Sequence, residues 1–444
     1  MFYIVEEEGQ LQYLINSQYD ECYVEIITTG YQEHPQLTDP CLVYIRPLSY
    51  HKGVIIPVDH LEGINTAYTK VLEILESIKT IYTLDKKFLL YYLKHKNIVD
   101  VSLLYSLNEY KIFEPVSDAK YVQSLTYKHP EHRKLNRIVP IALHYDKCER
   151  NFLRAEKIIN RYRSFVDDPS WKFYNTDTTG VFFCIEKNGL KVHRQEFLMA
   201  FKPNVPSRSI AGDQIYSCYN INNNTGRPSN SFNSINFLAI PKTEVRQTIV
   251  PANGLFMEID YDGYHIRLLG ELVGHTFSEE SIHTQLGRYY FQKDVLTEEE
   301  YKQSKQKTFQ YLYSTQLQEV LHIPYFKKVS DYAEKIWSEF ISEKQIRVPG
   351  SNKLFTTKLV DLNKQKLLNY FIQNFETTRN VRVLKELLRV LSPYKTKIVL
   401  NTYDAILFDM YEEEKDELIP IIHQLATTGG SYPIKVKYGK SYFF

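Results

Sequence analysis

The segment Gly254-Leu-Phe-Met-Glu-Ile-Asp260 alternates so that Leu255, Met257 and Ile259 share one face of a strand and Phe256, Glu258 and Asp260 the other. Tyr261-Asp262-Gly263 then turns directly into the helical pattern YHIRLLGELVG. A strand that hands over to a helix within three residues and ends on a carboxylate implies an α/β layer with Asp260 at its rim. Downstream, KIVLNT and AILFDM are apolar arms joined through Tyr403 and Asp404, which predicts a hairpin with Asp404 near its tip. Two carboxylates at adjacent strand ends suit a pair of Mg²⁺ ions roughly 3.5–4 Å apart for in-line phosphoryl chemistry. Asp is equally common in turns, so this pair alone does not decide.

Thr297 and Glu300 form a capping box that starts a helix. One face of that helix carries Tyr301, Lys305, Phe309 and Tyr313 at steps of four, with Lys302 adjacent. The stripe fits a buried aromatic face and a nucleotide-binding face equally well, since an ammonium suits phosphates and aromatic rings suit a base and sugar. NTGRPSNSF offers hydroxyls, amides and Arg227 in a polar loop suited to phosphate and minor-groove contacts. Lys147, Arg150, Arg154, Lys157 and Arg161 form a basic stripe opposite Phe152, Ala155, Ile159 and Tyr162, either a solvated face or a phosphate contact. His129 and His132, separated by Pro130, read as structural rather than metal-binding.

The 444 residues suggest about three domains, and 43% hydrophobic with 24% charged residues excludes a disordered or collagenous chain. A net charge of +1 gives no global sign of a nucleic-acid or membrane partner, so any such partner is met by local patches. Five scattered cysteines, Cys22, Cys41, Cys148, Cys184 and Cys218, indicate neither a disulfide framework nor a zinc site. With no signal-peptide pattern and no long apolar run, a cytoplasmic location is expected. ECYVEIITT, CLVYIRPL and GVIIPV predict a β-meander, and helical periodicity follows from Leu61 to Arg163. VFFCIEKNGLKVH reads as a hairpin around an Asn-Gly turn.

Taken in order, these pieces resemble the family A DNA polymerases. Asp260-Tyr261-Asp262-Gly263-Tyr264-His265-Ile266-Arg267 is similar to the first palm motif, Tyr301, Lys305, Phe309 and Tyr313 to the fingers motif, and Tyr403-Asp404-Ala405 to the hairpin motif. Supporting likenesses are Thr225-Gly226-Arg227, Asn236, Arg246-Gln247, Ile282-His283, Asn369, Gln373 and the ending IKVKYGKSYFF. The resemblance is strong over residues 180–444 and implies an α/β (α+β multidomain) chain. Its expected parts are an RNase H-like, degenerate 3′–5′ exonuclease-type domain (1–163), a reduced thumb or connector (164–224), palm (225–274), helical fingers (275–350) and palm again (351–444).

The resemblance implies a template-dependent DNA polymerase that extends a primer 3′-hydroxyl with dNTPs, from a phage or mobile element, acting in a bacterial or phage-infected cell. Asp260, Asp404 and the Tyr261 carbonyl would hold two Mg²⁺ ions, with Mn²⁺ as an alternative, and Lys305 would join Asp260 and Asp404 in catalysis. His265, His283, Tyr301, Lys302, Lys305, Phe309 and Tyr313 would bind the nucleotide. Thr225, Arg227, Asn236, Arg267, Asn369, Gln373 and Tyr403 would contact primer-template DNA.

Departures from the family pattern are His265 at the steric-gate glutamate, Tyr301 at the first fingers arginine, Ala405 at the hairpin glutamate and Ser314 after the fingers tyrosine. The exonuclease acids fall at Glu25 and Ile27, Lys87 and Glu149, which implies no proofreading. Fewer than about 30 residues stand where the family has a long thumb hairpin, so weak processivity and a processivity or replisome partner are expected. A catalytically silent primer-template-binding accessory protein, and a polymerase with relaxed sugar or template choice, are the alternatives.

Overall fold

The computed structural model describes residues 4–17, 19–31, 33–128, 134–201, 209–231, 234–313, 319–430 and 432–444. His129, His132 and Ser314 lie outside them. The chain divides into two compact units, Met1–Phe183 with Pro206–Ala211, and Cys184–Val205 with Gly212–Phe444. Among the described residues no helix is long and apolar enough to cross a membrane.

The first unit is built on a five-stranded sheet of β1 (Glu21–Thr28), β2 (Pro40–Pro47), β3 (Val54–Pro57), β4 (Thr80–Thr83) and β5 (Ile98–Asp100), in the order β3-β2-β1-β4-β5. β1, β2 and β3 pair antiparallel, as their short connections require, while β4 and β5 join in parallel. The parallel steps are made through α1 (Tyr68–Ser77) and the short helix Lys86–Leu89. Val24, Ile26, Val43, Ile45, Ile74 and Ile81 belong to one buried cluster. β4 and β5 fall inside the stretch expected to be helical throughout. They are buried strands of four and three residues, too short to impose a period of two on the sequence. α2 (Val101–Glu109) follows, started by Asp100, whose carboxylate accepts the Leu103 N–H at 2.8 Å. α3 (Ile141–Tyr162) buries Phe152, Ala155 and Ile159 and turns Arg150, Arg154, Lys157 and Arg161 outward, with Lys147 half-buried.

One expectation for the connecting region changes. The start of the expected connector (164–224) is a helical run: Asp168 accepts the Ser170 N–H at 2.9 Å, and Pro169–Lys172, a π-helical Phe173–Thr178 and Thr179–Asn188 follow without a break. The expected Asn-Gly hairpin is therefore the end of that run. Gly189 takes φ +64° after the helix, a conformation that serves a helix C-terminus as well as a tight turn. The unit boundary falls within Thr179–Asn188.

In the second unit the short strands β6 (Leu190–Val192), β7 (Gln214–Ile215) and β8 (Ile249–Val250) pair with β6 in the middle. Among the described residues between Leu190 and Thr225, the one helix, Arg194–Ala200, has seven residues. The main sheet comprises β9 (Gly254–Tyr261), β10 (Lys397–Thr402), β11 (Ala405–Tyr411) and β12 (Ile434–Gly439), antiparallel in the order β10-β11-β9-β12. α4 (Tyr264–Leu272) leaves β9 through Gly263 at φ +56°, where a Cβ would approach Ile282 at 3.1 Å. α5 (Ile282–Phe291), α6 (Glu298–Tyr313), α7 (Pro324–Glu343), the 28-residue α8 (Lys364–Leu391) and α9 (Lys415–Thr427) complete the unit. α8 packs against α4 and α7, and α5 packs against α6. The capping box of α6 forms as expected: Glu300 Oε2 accepts the Thr297 N–H at 2.9 Å, and Thr297 Oγ1 accepts the Glu300 N–H at 3.2 Å.

Candidate active site

The register of the main sheet places Asp260 opposite Ala405 on β11 and opposite Lys435 on β12. The β10–β11 hairpin closes with Tyr403-Asp404 between paired Thr402 and Ala405, and Tyr403 adopts φ +63°. The Tyr261 N–H donates to the Asp404 carbonyl at 3.1 Å, which ties the turn to the end of β9. The tip of one hairpin and the end of its neighbouring strand thus bring two carboxylates together. Their proximity is visible in their acidity: the Asp404 pKa is pushed up to about 6, by burial first and then by the Asp260 and Glu376 charges. Asp404 as a whole residue is exposed on its turn, so solvent screens part of that effect. Burial also raises Asp260, against the pull of Lys437, Lys435, Lys242 and Lys305.

Two carboxylates and a backbone carbonyl make a hard oxygen donor set. Tyr261 contributes only backbone, because its ring is 3% exposed, its hydroxyl donates to the Ala426 carbonyl at 2.9 Å and it stacks on Tyr264. No group of three or more His, Cys, Asp or Glu able to hold a metal occurs among the described residues. The pair nonetheless fits Mg²⁺, which typically takes one or two carboxylates and completes its shell with water and substrate phosphates.

α6 presents its stripe on this side of the unit. Lys305 is exposed, and its charge reaches Asp260 and His283. Phe309 and Tyr313 are half-buried and stack with ring planes 4° apart. His283 is 4% exposed and its ring meets Tyr301 and Phe309. Burial pushes its pKa down to about 4, so it is neutral near pH 7. Lys302 departs from expectation. It sits one position round the helix, pairs with Glu298 at 2.8 Å and points to solvent, so it does not replace the cation missing at Tyr301. The Tyr301 hydroxyl lies 3.2 Å from Ser281 Oγ.

Arg267 is a further correction. It is 4% exposed and its guanidinium donates to the carbonyls of Asp262, Ser278 and Glu280, which leaves it holding its own loop rather than reaching DNA. Asp262 lies below its ordinary pKa: burial opposes this, but the Lys435 hydrogen bond and charge outweigh it. Among the other expected DNA contacts, Asn236 is exposed and caps the turn Phe237–Ala239. Thr225 is gripped through its carbonyl by the buried Asn374 amide at 2.7 Å. The Gln373 carbonyl accepts from Thr377 Oγ1, and Asn369 Oδ1 is buried with no hydrogen-bond partner among the described residues.

The residue that gathers this site is one the sequence did not single out. Glu376, 1% exposed on α8, lies 2.6 Å from Arg227 Nε and 3.1 Å from His265 Nε2, and accepts the Arg227 Nη2–H at 3.0 Å. The two contacts at its Oε2 are close approaches whose angles fall short of aligned hydrogen bonds, the one to Arg227 being an ion pair. His265 Nδ1 is hydrogen-bonded to the Tyr313 hydroxyl, and the Arg227 guanidinium lies 3.5 Å from the centre of the Tyr403 ring. One buried carboxylate therefore connects α6, α4, the Arg227 loop and the Asp404 turn. Glu376 continues the helical face of Asn369 and Gln373 at i+7 and i+3, and that spacing was the available signal.

In the first unit the remaining acids are enclosed by protein donors. Glu149 Oε1 accepts from the Tyr44 hydroxyl (2.8 Å), the Tyr145 hydroxyl (2.9 Å), the Gly53 N–H (3.0 Å) and Arg46 Nη1 (3.2 Å). Burial raises Glu25, which accepts from the Tyr23 hydroxyl at 2.5 Å and the Asn151 amide at 3.4 Å. The ammonium whose charge acts on Glu25 is Lys147, where the sequence suggested Lys87; Lys87 and Ile27 are both buried.

No protein-family model matches the chain, and no curated protein matches it. Solved structures do. The POL domain of Pol1 from M. smegmatis, in complex with DNA primer-template and dNTP, superposes with a TM-score of 0.71 at 14% identity, covering 99% of this chain and 99% of that one. That neighbour is bacterial, not the phage or mobile-element relative the sequence suggested. The likeness is one of fold: this chain has a family A-like polymerase fold.

Proposed function

We propose that the protein is a template-dependent DNA polymerase that extends a primer 3′-hydroxyl with dNTPs by two-metal nucleotidyl transfer. The observation that carries this reading is the junction of Asp260 and Asp404 through the Tyr261 N–H bond to the Asp404 carbonyl, with the Lys305 charge reaching Asp260. Asp260, Asp404 and the Tyr261 carbonyl would hold the two ions. The chemistry such ions supply is activation of the primer hydroxyl and neutralisation of charge on the triphosphate.

The chain's own residues do the rest. Lys305 binds the triphosphate and stabilises the departing pyrophosphate. The stacked faces of Phe309 and Tyr313 receive the base and sugar, and His265, held between Tyr313 and Glu376, borders the sugar. Arg227, fixed by Glu376, together with Thr225, Asn236, Asn369, Gln373 and Tyr403, meets primer and template. The first unit is an RNase H-like domain without proofreading, a reading supported by its β3-β2-β1-β4-β5 order and by the closure of Glu149 and Glu25 onto protein donors. Primer extension on a defined template tests the polymerase: products should follow the template and require Mg²⁺. A 3′-mismatched primer incubated without dNTPs tests the first unit, and release of the terminal nucleotide would overturn the proofreading statement.

A further inference from the structure

The basic stripe on α3 is not uniform. Its first half is neutralised locally, with Lys147 pairing with Asp118 at 3.0 Å and Arg150 with Asp146 at 2.6 Å. Its second half is not: Arg154 and Lys157 have no carboxylate within 4 Å among the described residues, and Arg161 keeps a looser contact with Glu109 at 3.6 Å. These three cations line one cavity of about 450 Å³ in the first unit, a volume within the roughly 300–1,000 Å³ usual for small-ligand sites.

The other wall of that cavity is aromatic. Tyr105 on α2 meets Phe113 edge to face at 6.2 Å, the Arg154 guanidinium lies 5.0 Å from the Phe113 ring centre, and the Arg161 guanidinium lies 5.2 Å from that of Tyr162. Arg154 and Lys157 are exposed on one face of the helix and Tyr105 and Tyr162 are half-buried, while Phe113, 7% exposed under Arg154, backs Tyr105 from within, so the Tyr105 ring and the cations are presented together. Cations that track phosphates beside aromatic surface on which bases stack are how single strands are held without sequence preference. Glu114 also lines the cavity, and its charge disfavours a bare polyanion relative to a ligand that brings a ring.

The geometry points to a single-strand binding site in the first unit, where one nucleotide of a DNA or RNA strand places its base against Tyr105, backed by Phe113, and its phosphates against Arg154 and Lys157. This site is separate from the Asp260–Asp404 centre and stands whether or not that centre extends primers.

The test is binding of short fluorescein-labelled oligo(dT) to the full chain, read by anisotropy across a salt series, with 5-iodouracil crosslinking to map the contact. Arg154→Ala with Lys157→Ala should weaken binding about tenfold and reduce the salt slope by about 1.4. Tyr105→Leu should weaken it at least about fivefold with the slope unchanged. Crosslinks should fall in residues 105–114 or 154–162, and Asp404→Ala should leave them in place. Lys157→Ala alone, at an exposed position, keeps the test readable if Tyr105→Leu does not fold. Equal affinity for duplex DNA with Tyr105→Leu silent would make the patch a diffuse polyanion surface. Competition by dTMP at the same concentration as the strand would make it a free-nucleotide site, and crosslinks confined to residues 212–444 would place the strand elsewhere. Each of these outcomes overturns the inference.

Discussion

His265 Nε2 lies 3.1 Å from Glu376 Oε2, so the residue standing where the family resemblance has a glutamate is backed by a glutamate from another helix. That buried carboxylate also holds Arg227. Breaking a buried charge contact by removing one partner's charge leaves the other unbalanced.

Glu376→Gln is therefore expected to destabilise the second unit by about 3 kcal/mol, read from urea unfolding. In primer extension it should lower kcat/KM for dNTPs at least about tenfold through loss of His265 and Arg227 orientation. Wild-type kinetics in the variant would show that Glu376 only fills space.

Restoring the family's residue alone is expected to harm this chain. His265→Glu puts a second carboxylate against Glu376, whereas His265→Glu combined with Glu376→Gln removes the repulsion. Measured as a double-mutant cycle of extension rates, the pair should couple by about 1 kcal/mol or more, with the double variant faster than His265→Glu. Additive losses would argue that the two side chains act independently.

The two lysines of α6 should behave differently. Lys305→Ala removes the ammonium facing Asp260 and should cost about 10²–10³ in kcat/KM for dNTPs. Lys302→Ala removes a solvated pair with Glu298 and should change the rate less than about twofold. Equal effects would contradict the placement of the stripe.

Much of this site is legible in the sequence because local rules carry it. Asp260 follows from strand alternation, Asp404 from two apolar arms around a short turn, and the start of α6 from its capping box. What is not legible depends on long-range neighbours. β4 and β5 leave too short a pattern to read, the inward turn of Arg267 is decided by three carbonyls up to thirteen residues away, and the outward turn of Lys302 by Glu298. Glu376 acquires its role from Arg227, 149 residues distant in the chain. Lys435 and Lys437, alternate residues of one strand, face Asp260 only because β12 pairs with β9.

Acidity gives two stability predictions of opposite sign. His144 is 1% exposed and burial pushes its pKa down to about 4. The unfolded chain takes up that proton first, so stability is lost as pH falls from about 6.5 towards 4, by about 3 kcal/mol. Asp404 has its pKa raised to about 6, so its contribution is present below about pH 4 and lost as pH rises through 6. Screening at the exposed turn limits that loss to about 1 kcal/mol. Asp404→Asn should accordingly raise the Tm at pH 8 without Mg²⁺ while abolishing extension. A lower Tm in the variant at pH 8 would contradict the carboxylate crowding.

The central claim is that Asp260 and Asp404 together form the reacting centre. Single-nucleotide incorporation on a primer-template, measured with Mg²⁺ for wild type, Asp260→Ala and Asp404→Ala under conditions where all three are folded, tests it most directly. The expected result is template-directed incorporation by wild type and a loss of at least about 10³-fold in each variant. Equal incorporation by wild type and either variant would contradict it.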